Sequence, residues 1–277
     1  MSTLVDLFPP LGLHVQAGPL ELRGLSDELI LELSDLAEQG IHPPDEMPFY
    51  FPWTAAPPGE LARNTAAYHW GKRSTFSPDD FCLDLAVLLD GRVIGAQGVA
   101  ARNFPVTRTG ETGSWLGREF QGRGLGTAMR RAMCELLFDH LGFEEITSAA
   151  FVDNPASLAV SRKVGYRPTA VSRIKRREGE LALNQGLVLT PDDLVRDAEP
   201  IRVTGAEAVR AFIGLGGRLS PGRTPSAHRI GRARPPSGRI VPRVLRVRTL
   251  SSERRSALRR TSTGDPTWER SLTHDNS

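Results

Sequence analysis

The run Gln121-Gly122-Arg123-Gly124-Leu125-Gly126 places bare backbone where an anion can be held. A strand-like segment, 109–117, leads into it, and a strongly amphipathic segment, about 124–141, leads out. Strand, glycine turn and helix together aim N–H groups at one point. The first turn of a helix leaves about four N–H groups without intrahelical acceptors. The macrodipole adds roughly half a positive charge at the same end. A pyrophosphate fits there without any side-chain cation. An ordinary glycine-rich turn is the alternative reading of these six residues.

The spacing narrows the choice of anion. A Walker loop ends in Gly-Lys-Ser/Thr, whereas Gly126 is followed directly by Thr127. A dinucleotide fingerprint needs Gly-x-Gly-x-x-Gly, and glycines at 122, 124 and 126 do not fit it. They fit Gln/Arg-x-x-Gly-x-Gly/Ala. About 30 residues on come Asn154-Pro155-Ala156-Ser157 and then Lys163-Val164-Gly165-Tyr166. The two motifs, at this separation, resemble the signatures of the GNAT acyltransferase family. Glu111-Thr112-Gly113-Ser114-Trp115-Leu116-Gly117 is similar to the strand that precedes the loop in its ribosomal-protein N-terminal acetyltransferases (Rim type) and its actinobacterial succinyltransferases. The resemblance covers roughly residues 11–190.

The resemblance implies a fold, a reaction and a set of roles. The fold is α/β of mixed type, a central twisted mixed sheet flanked by helices. The reaction moves an acyl group, acetyl or succinyl, from acyl-CoA directly to a primary amine, with no metal. The backbone of Gln121, Gly122, Arg123, Gly124, Leu125, Gly126 and Thr127 holds the CoA pyrophosphate. The backbone of Trp115, Leu116 and Gly117 pairs with the pantetheine arm and polarises the thioester carbonyl. Asn154 binds the pantetheine amide, and Ser157 lies near the sulfur. Many relatives carry a tyrosine as general acid four positions after Ser157, and here that slot is Ser161. A serine is a poor proton donor but can hydrogen-bond a developing thiolate, a role assigned to Ser157. Helix capping is the plainer role for the same hydroxyl.

A base is also required. Neutralising a lysine amine at pH 7 costs roughly 4–5 kcal/mol, against about 1–1.4 kcal/mol for an α-amine. Glu111, on the strand entering the cleft, is the candidate; an ordinary surface carboxylate is the competing reading. His42 and His69 are lesser candidates for substrate contact. Arg102 and Arg108 are candidates for the distal carboxylate of a succinyl group. The acceptor is a protein N-terminus, a lysine or a small amine. A non-catalytic acyl-CoA-binding module is the alternative function.

The elements that must position these residues are legible in outline. Residues 11–25 read as a strand pair, and Ser26 as an N-cap with Asp27 and Glu28 behind it. Leu29, Leu33, Leu36 and Ala37 share a helical face. Residues 41–58 form a proline-rich loop with four aromatics, either a core cover or a substrate-facing lid. Pro58 suits the start of a helix running to about Lys72. Asp90-Gly91 marks a hairpin between strands 81–89 and 92–103. The stripe Leu125, Ala128, Met129, Ala132, Met133, Leu136 and Leu137 is the clearest helical period. Strand 145–152, a short helix from Pro155 with Gly165 as its C-cap, and strands 166–176 and 180–189 follow. The expected acyltransferase domain is 1–200, with 201–215 a C-terminal segment.

Charge divides the chain. Residues 216–277 carry 14 Arg, no Lys and four acidic side chains, a net +10, while residues 1–215 carry 21 basic and 28 acidic ones, a net −7. The acidic portion is a poor nucleic-acid binder and suits a cationic amine. The Arg-rich stretch has the composition of disorder. Its single aromatic, Trp268, gives base stacking little to work with, so nucleic-acid binding is the weakest reading. An extension with no evolved role is the expectation. Cys82 and Cys134 fall within apolar patterns and do not suggest a disulfide framework. No apolar run is long enough for a membrane helix, and residues 1–10 lack a secretory pattern, so a cytoplasmic protein, monomeric or homo-oligomeric, is expected.

Overall fold

The computed structural model describes residues 1–57 and 59–216. The expected helix-start residue Pro58 and residues 217–277 of the Arg-rich stretch lie outside the described residues. The chain opens with a short helix α1 (Leu4–Leu7), then β1 (His14–Ala17) and β2 (Leu20–Gly24). Helix α2 (Asp27–Glu38) starts where Ser26 Oγ accepts the Leu29 N–H at 3.3 Å. It buries Ile30, Leu33, Leu36 and Ala37. Helix α3 (Leu61–Ser74) precedes the hairpin of β3 (Phe81–Leu89) and β4 (Arg92–Ala101). Asp90 and Gly91 turn that hairpin with φ of +50° and +78°, the positive pair its tight turn demands.

A one-turn helix α4 (Phe104–Thr107) carries the chain to β5 (Thr109–Leu116). Helix α5 (Leu125–Glu135) follows the glycine loop, and its last turn, Leu136–His140, widens into a π-helix. Then come β6 (Glu145–Phe151), α6 (Pro155–Val164), β7 (Arg167–Arg177) and β8 (Glu180–Leu189). Residues 201–215 supply β9 (Arg202–Thr204) and α7 (Ala206–Phe212), and Val209, Ile213 and Leu215 are buried. The nine strands of the described residues form one sheet in the order β7-β8-β6-β5-β4-β3-β2-β1-β9.

One pair of strands shapes the cleft. β5 and β6 run parallel because α5 crosses over between them. They pair only at Thr109–Glu111 against Glu145–Thr147. Beyond Glu111 the outer edge of β5 has no strand partner among the described residues, so the sheet opens as a V toward the glycine loop. Hydroxyls stitch its throat. Thr112 Oγ1 donates to the Thr147 carbonyl at 3.2 Å, and Ser148 Oγ to the Thr112 carbonyl at 3.0 Å. The Tyr166 hydroxyl lies 2.8 Å from Thr112 Oγ1 and 3.5 Å from Cys134 Sγ. Burial keeps the Tyr166 proton in place well above the usual phenol range.

Candidate active site

The loop at the head of α5 is built for its backbone. Gly122 and Gly124 have φ of +74° and +83°, which side chains resist, and a Cβ at either would meet open space. Among the described residues the N–H groups of 122–126 have no protein acceptor, while Thr127 and Ala128 already donate to the Gly124 carbonyl. No side chain of the described residues caps this helix. Gln121 is not itself aimed at the loop mouth. Its Nε2 donates to the carbonyls of Ile41 and Leu116 at 2.7 and 2.9 Å, clamping the loop to the end of β5. Arg123 is exposed, and Gly126 lets α5 pack on Val160 of α6.

Along the open edge of β5 the geometry picks out particular residues. The Gly117 N–H is taken by the Ile94 carbonyl at 2.9 Å and is not available to a thioester. Antiparallel alternation turns Trp115 the same way, toward β4, so Ser114 and Leu116 present their backbone to the V. Across the V, Asn154 caps α6, its Oδ1 accepting the Ser157 N–H at 3.0 Å. Its amide nitrogen and the half-buried Ser157 hydroxyl have no partner among the described residues. Ser161, in the tyrosine slot, is fully buried. It donates to the Ser157 carbonyl at 2.9 Å and accepts from Arg130 at 2.8 Å.

A cavity of about 620 Å³ opens on the other face of β5. Ser114 and Trp115 contribute to its wall, so it adjoins the strand that runs into the glycine loop. Its roof is the proline-rich loop. His42, Phe49, Trp53 and Trp115 touch in series, with ring centroids 5.7, 5.3 and 5.7 Å apart. His42 itself is a brace: Nδ1 donates to the Pro43 carbonyl at 2.8 Å and Nε2 pairs with the Thr54 hydroxyl at 2.7 Å. The floor is a row across three strands, Asp84, Gly98 and Gly113. A Cβ on Gly98 would overlap the Asp84 carboxylate, so the glycine makes room for the acid.

The carboxylates meet a histidine. His69 is buried and its Nδ1 lies 3.4 Å from Asp84 Oδ2, a close contact without hydrogen-bond geometry. Cys82 Sγ lies 3.6 Å from both Asp84 oxygens, and burial pushes its thiol up to about 12. Glu111 lines the same cavity and is exposed. No Arg or Lys lines it among the described residues. Arg108 instead donates to the carbonyls of Pro105 and Gly142, and Arg102 is exposed at the turn before β5.

The structure thus places the glycine loop and Leu116 at the open end of β5 and ties β5 through Arg130 to α6, the helix that Asn154 caps and that carries Ser157 in its first turn, with Glu111 and Trp115 facing the cavity beside it. Sequence reading missed Asp84 and Arg130. Asp84 sits in a strand alternation that reads only as apolar-in and polar-out. The lone signal for Arg130 is a charge beside the apolar stripe of α5. Among the described residues no cluster of His, Cys, Asp and Glu could hold a metal ion, and no helix is long and apolar enough to cross a membrane.

Comparison with known proteins agrees with this geometry. The protein named "Putative ribosomal N-acetyltransferase YdaF" from Bacillus subtilis (strain 168) is 31% identical over 85 residues, 30% of this chain and 45% of that protein. The chain therefore spans about half the length of this curated relative. Mycobacterium smegmatis RimJ, solved with a CoA disulfide, superposes with a TM-score of 0.54 at 18% identity, covering 72% of this chain and 92% of that one. The ribosomal L7/L12 α-N-protein acetyltransferase RimL, solved with coenzyme A, gives 0.52 at 16%, covering 65% and 99%. At such identities these structures speak for the fold. Residues 20–167 match the model of the acetyltransferase (GNAT) domain, and the chain belongs to the GNAT acetyltransferase family.

Proposed function

We propose that this protein transfers an acetyl group from acetyl-CoA directly to a primary amine seated in the aromatic cavity. The observation that carries the reading is the continuity of two sites through β5. Its outer edge and the loop after it suit a diphosphate-bearing thioester, while its other side walls a cavity holding Asp84 and Glu111. The amine nitrogen attacks the thioester carbonyl carbon. The carbon–sulfur bond then breaks, its electron pair goes to sulfur, and the amine proton goes to a base. The N–H of Ser114 or Leu116 supports the carbonyl oxygen as it gains charge. Neither cysteine is an acyl carrier in this scheme, because burial holds Cys134 up at about 11 and Cys82 at about 12.

The acceptor we favour is the α-amine of a protein N-terminus. It needs the least help to lose a proton, roughly 1–1.4 kcal/mol at pH 7. The ribosomal acetyltransferase names of YdaF and RimL point the same way. Glu111 at the cavity mouth and the deeper His69–Asp84 pair are the groups within the cavity able to take the proton. Acetyl is favoured over succinyl, since a distal carboxylate would find carboxylates rather than a cation among the described lining residues. The test is release of free CoA thiol from acetyl-, propionyl- and succinyl-CoA, each with N-terminal peptides, an Nα-blocked lysine and small amines. Thiol release with acetyl-CoA and free N-termini is expected. CoA binding with no thiol release across the panel would favour a binding module instead.

A further inference from the structure

The strongest unexplained feature of the molecule is a buried cation. Arg130, on the second turn of α5, is 6% exposed. Its guanidinium spans the V. Nη1 donates to Ser161 Oγ on α6 and Nη2 to Ser114 Oγ on β5, both at 2.8 Å. Its Nε is buried without a partner. Among the described residues no carboxylate lies within ion-pair distance. The buried acid of its own helix, Glu135, is engaged elsewhere, accepting the Ile201 N–H at 3.2 Å. The other ionisable groups packed near it, Cys134 on its own helix and Tyr166 after α6, keep their protons and bring no negative charge. Two serine hydroxyls solvate a guanidinium but do not neutralise it. Burying an uncompensated charge is costly, and hydrophobic side chains of similar volume are often as stable or more so. The fold therefore keeps a positive potential at this place for a purpose other than packing.

Position narrows the purpose. Ser161 lies one turn beyond Ser157 on α6, and Ser114 presents its backbone to the V and its flank to the cavity. A thioester held at the glycine loop and attacked from the cavity must carry its sulfur past Ser114, which lines that cavity. We propose that Arg130, anchored by the Ser161 hydroxyl and acting through the hydroxyl of Ser114, whose proton is free, is a positioning residue that stabilises the coenzyme A thiolate as it leaves. It takes over the work of the tyrosine acid that Ser161 replaces: the thiolate departs as an anion in a positive field rather than being protonated in place. This rests on the acetyl-CoA reading above.

The test reads the sulfur and not turnover alone. Enzyme–CoA complexes of wild type, R130M, R130K and S161A are titrated by thiolate absorbance near 240 nm, as differences against the same protein without CoA. The protein thiols stay silent below about pH 10, because burial holds them up at about 11 and about 12. Wild type should hold the bound thiol ionised below the pH at which free CoA ionises. R130M should lose at least about tenfold in thiolate fraction at fixed pH, the low end of what an opposite charge within about 4–6 Å does. R130K should retain most of the effect, and S161A should lose part of it. In turnover, R130M should lower kcat with the calorimetric Kd for CoA unchanged. If the bound thiol titrates alike in wild type and R130M, the proposal fails while the acetyl-CoA reading stands. If R130M weakens CoA binding but leaves the titration unmoved, Arg130 serves the phosphates and the proposal fails. If wild type does not bind CoA, both readings fall together. Should R130M not fold, R130K and S161A carry the same comparison.

Discussion

Replacing Gly124 separates the backbone of the loop from its electrostatics. At φ +83°, with nothing within 4 Å of an added Cβ, alanine meets conformational strain and no clash. A side chain in the left-handed region costs about 1–2 kcal/mol. In a domain of this size that lowers Tm by about 2–8 °C. Gly124→Glu carries the same strain and adds a carboxylate at the mouth of α5. Within about 4 Å of a phosphate, at an effective dielectric near 20, the repulsion is about 4 kcal/mol, or roughly a thousandfold in affinity. The difference between the Glu and Ala variants therefore isolates the anion site from the turn. Calorimetry with CoA at low salt should show Gly124→Ala binding within about tenfold of wild type and Gly124→Glu at least a hundredfold weaker still. At 1 M salt, where screening acts over about 3 Å, the gap between them should narrow. Equal CoA affinity for both folded variants would refute the idea that these amides grip the diphosphate.

Three further outcomes follow from other parts of the molecule. Gly98→Ala forces the Asp84 carboxylate off the cavity floor, so KM for the amine should rise at least about tenfold while CoA affinity in calorimetry stays put. An unchanged KM would remove Asp84 from acceptor recognition. Gly165→Ala places a Cβ against the Asp193 carbonyl at φ +111°, and chemical denaturation should show a loss of at least about 2 kcal/mol. The two cysteines should make the fold alkali-sensitive. Their folded-state thiols are raised, so above about pH 9 the unfolded chain releases protons that the native one retains, and stability falls as pH rises toward 11 and beyond. Replacing both by alanine should flatten that slope in urea melts between pH 8 and 10.5.

Local chemistry made the loop and its helix readable. Gly122 and Gly124 occupy positive φ, and a helix begins directly behind them, as the spacing of glycines and apolar residues requires. The hairpin at Asp90-Gly91 and the caps at Ser26 and Gly165 are legible for the same reason: each is decided within a few residues. What escaped depends on partners far away in sequence. Residues 201–215 look nondescript, and β9 is a strand only because β1 offers it an edge. Asp84 matters because cross-strand register sets it over Gly98, and no period in β3 announces that. The widened turn at Leu136–His140 keeps the apolar stripe in contact with the core, so the pattern alone reads as continuous α-helix. Arg130 looks like one of many arginines until α6 and β5 close around it.

The placement of charge across β5 suits the proposed acyl transfer. Attack of an amine on a thioester builds positive charge on nitrogen and negative charge on oxygen and then sulfur. The cavity side of β5 carries the carboxylates Asp84 and Glu111 and the aromatic rings of Trp53, Tyr68 and Trp115, all of which favour a cation. The V side carries the mouth of α5, free strand amides and the buried guanidinium of Arg130, all of which favour an anion. A single strand thus separates two fields of opposite sign, and the separation develops along the same line as the bond changes. Such a field is fixed by the fold before substrate arrives and so costs no reorganisation during the step. It follows that double variants pairing one side with the other, such as Gly98→Ala with Arg130→Met, should act on different kinetic terms, amine KM and kcat respectively. The double variant should therefore show the product of the single effects on kcat/KM. Marked non-additivity would mean that the two fields act on one group and that the strand does not divide them.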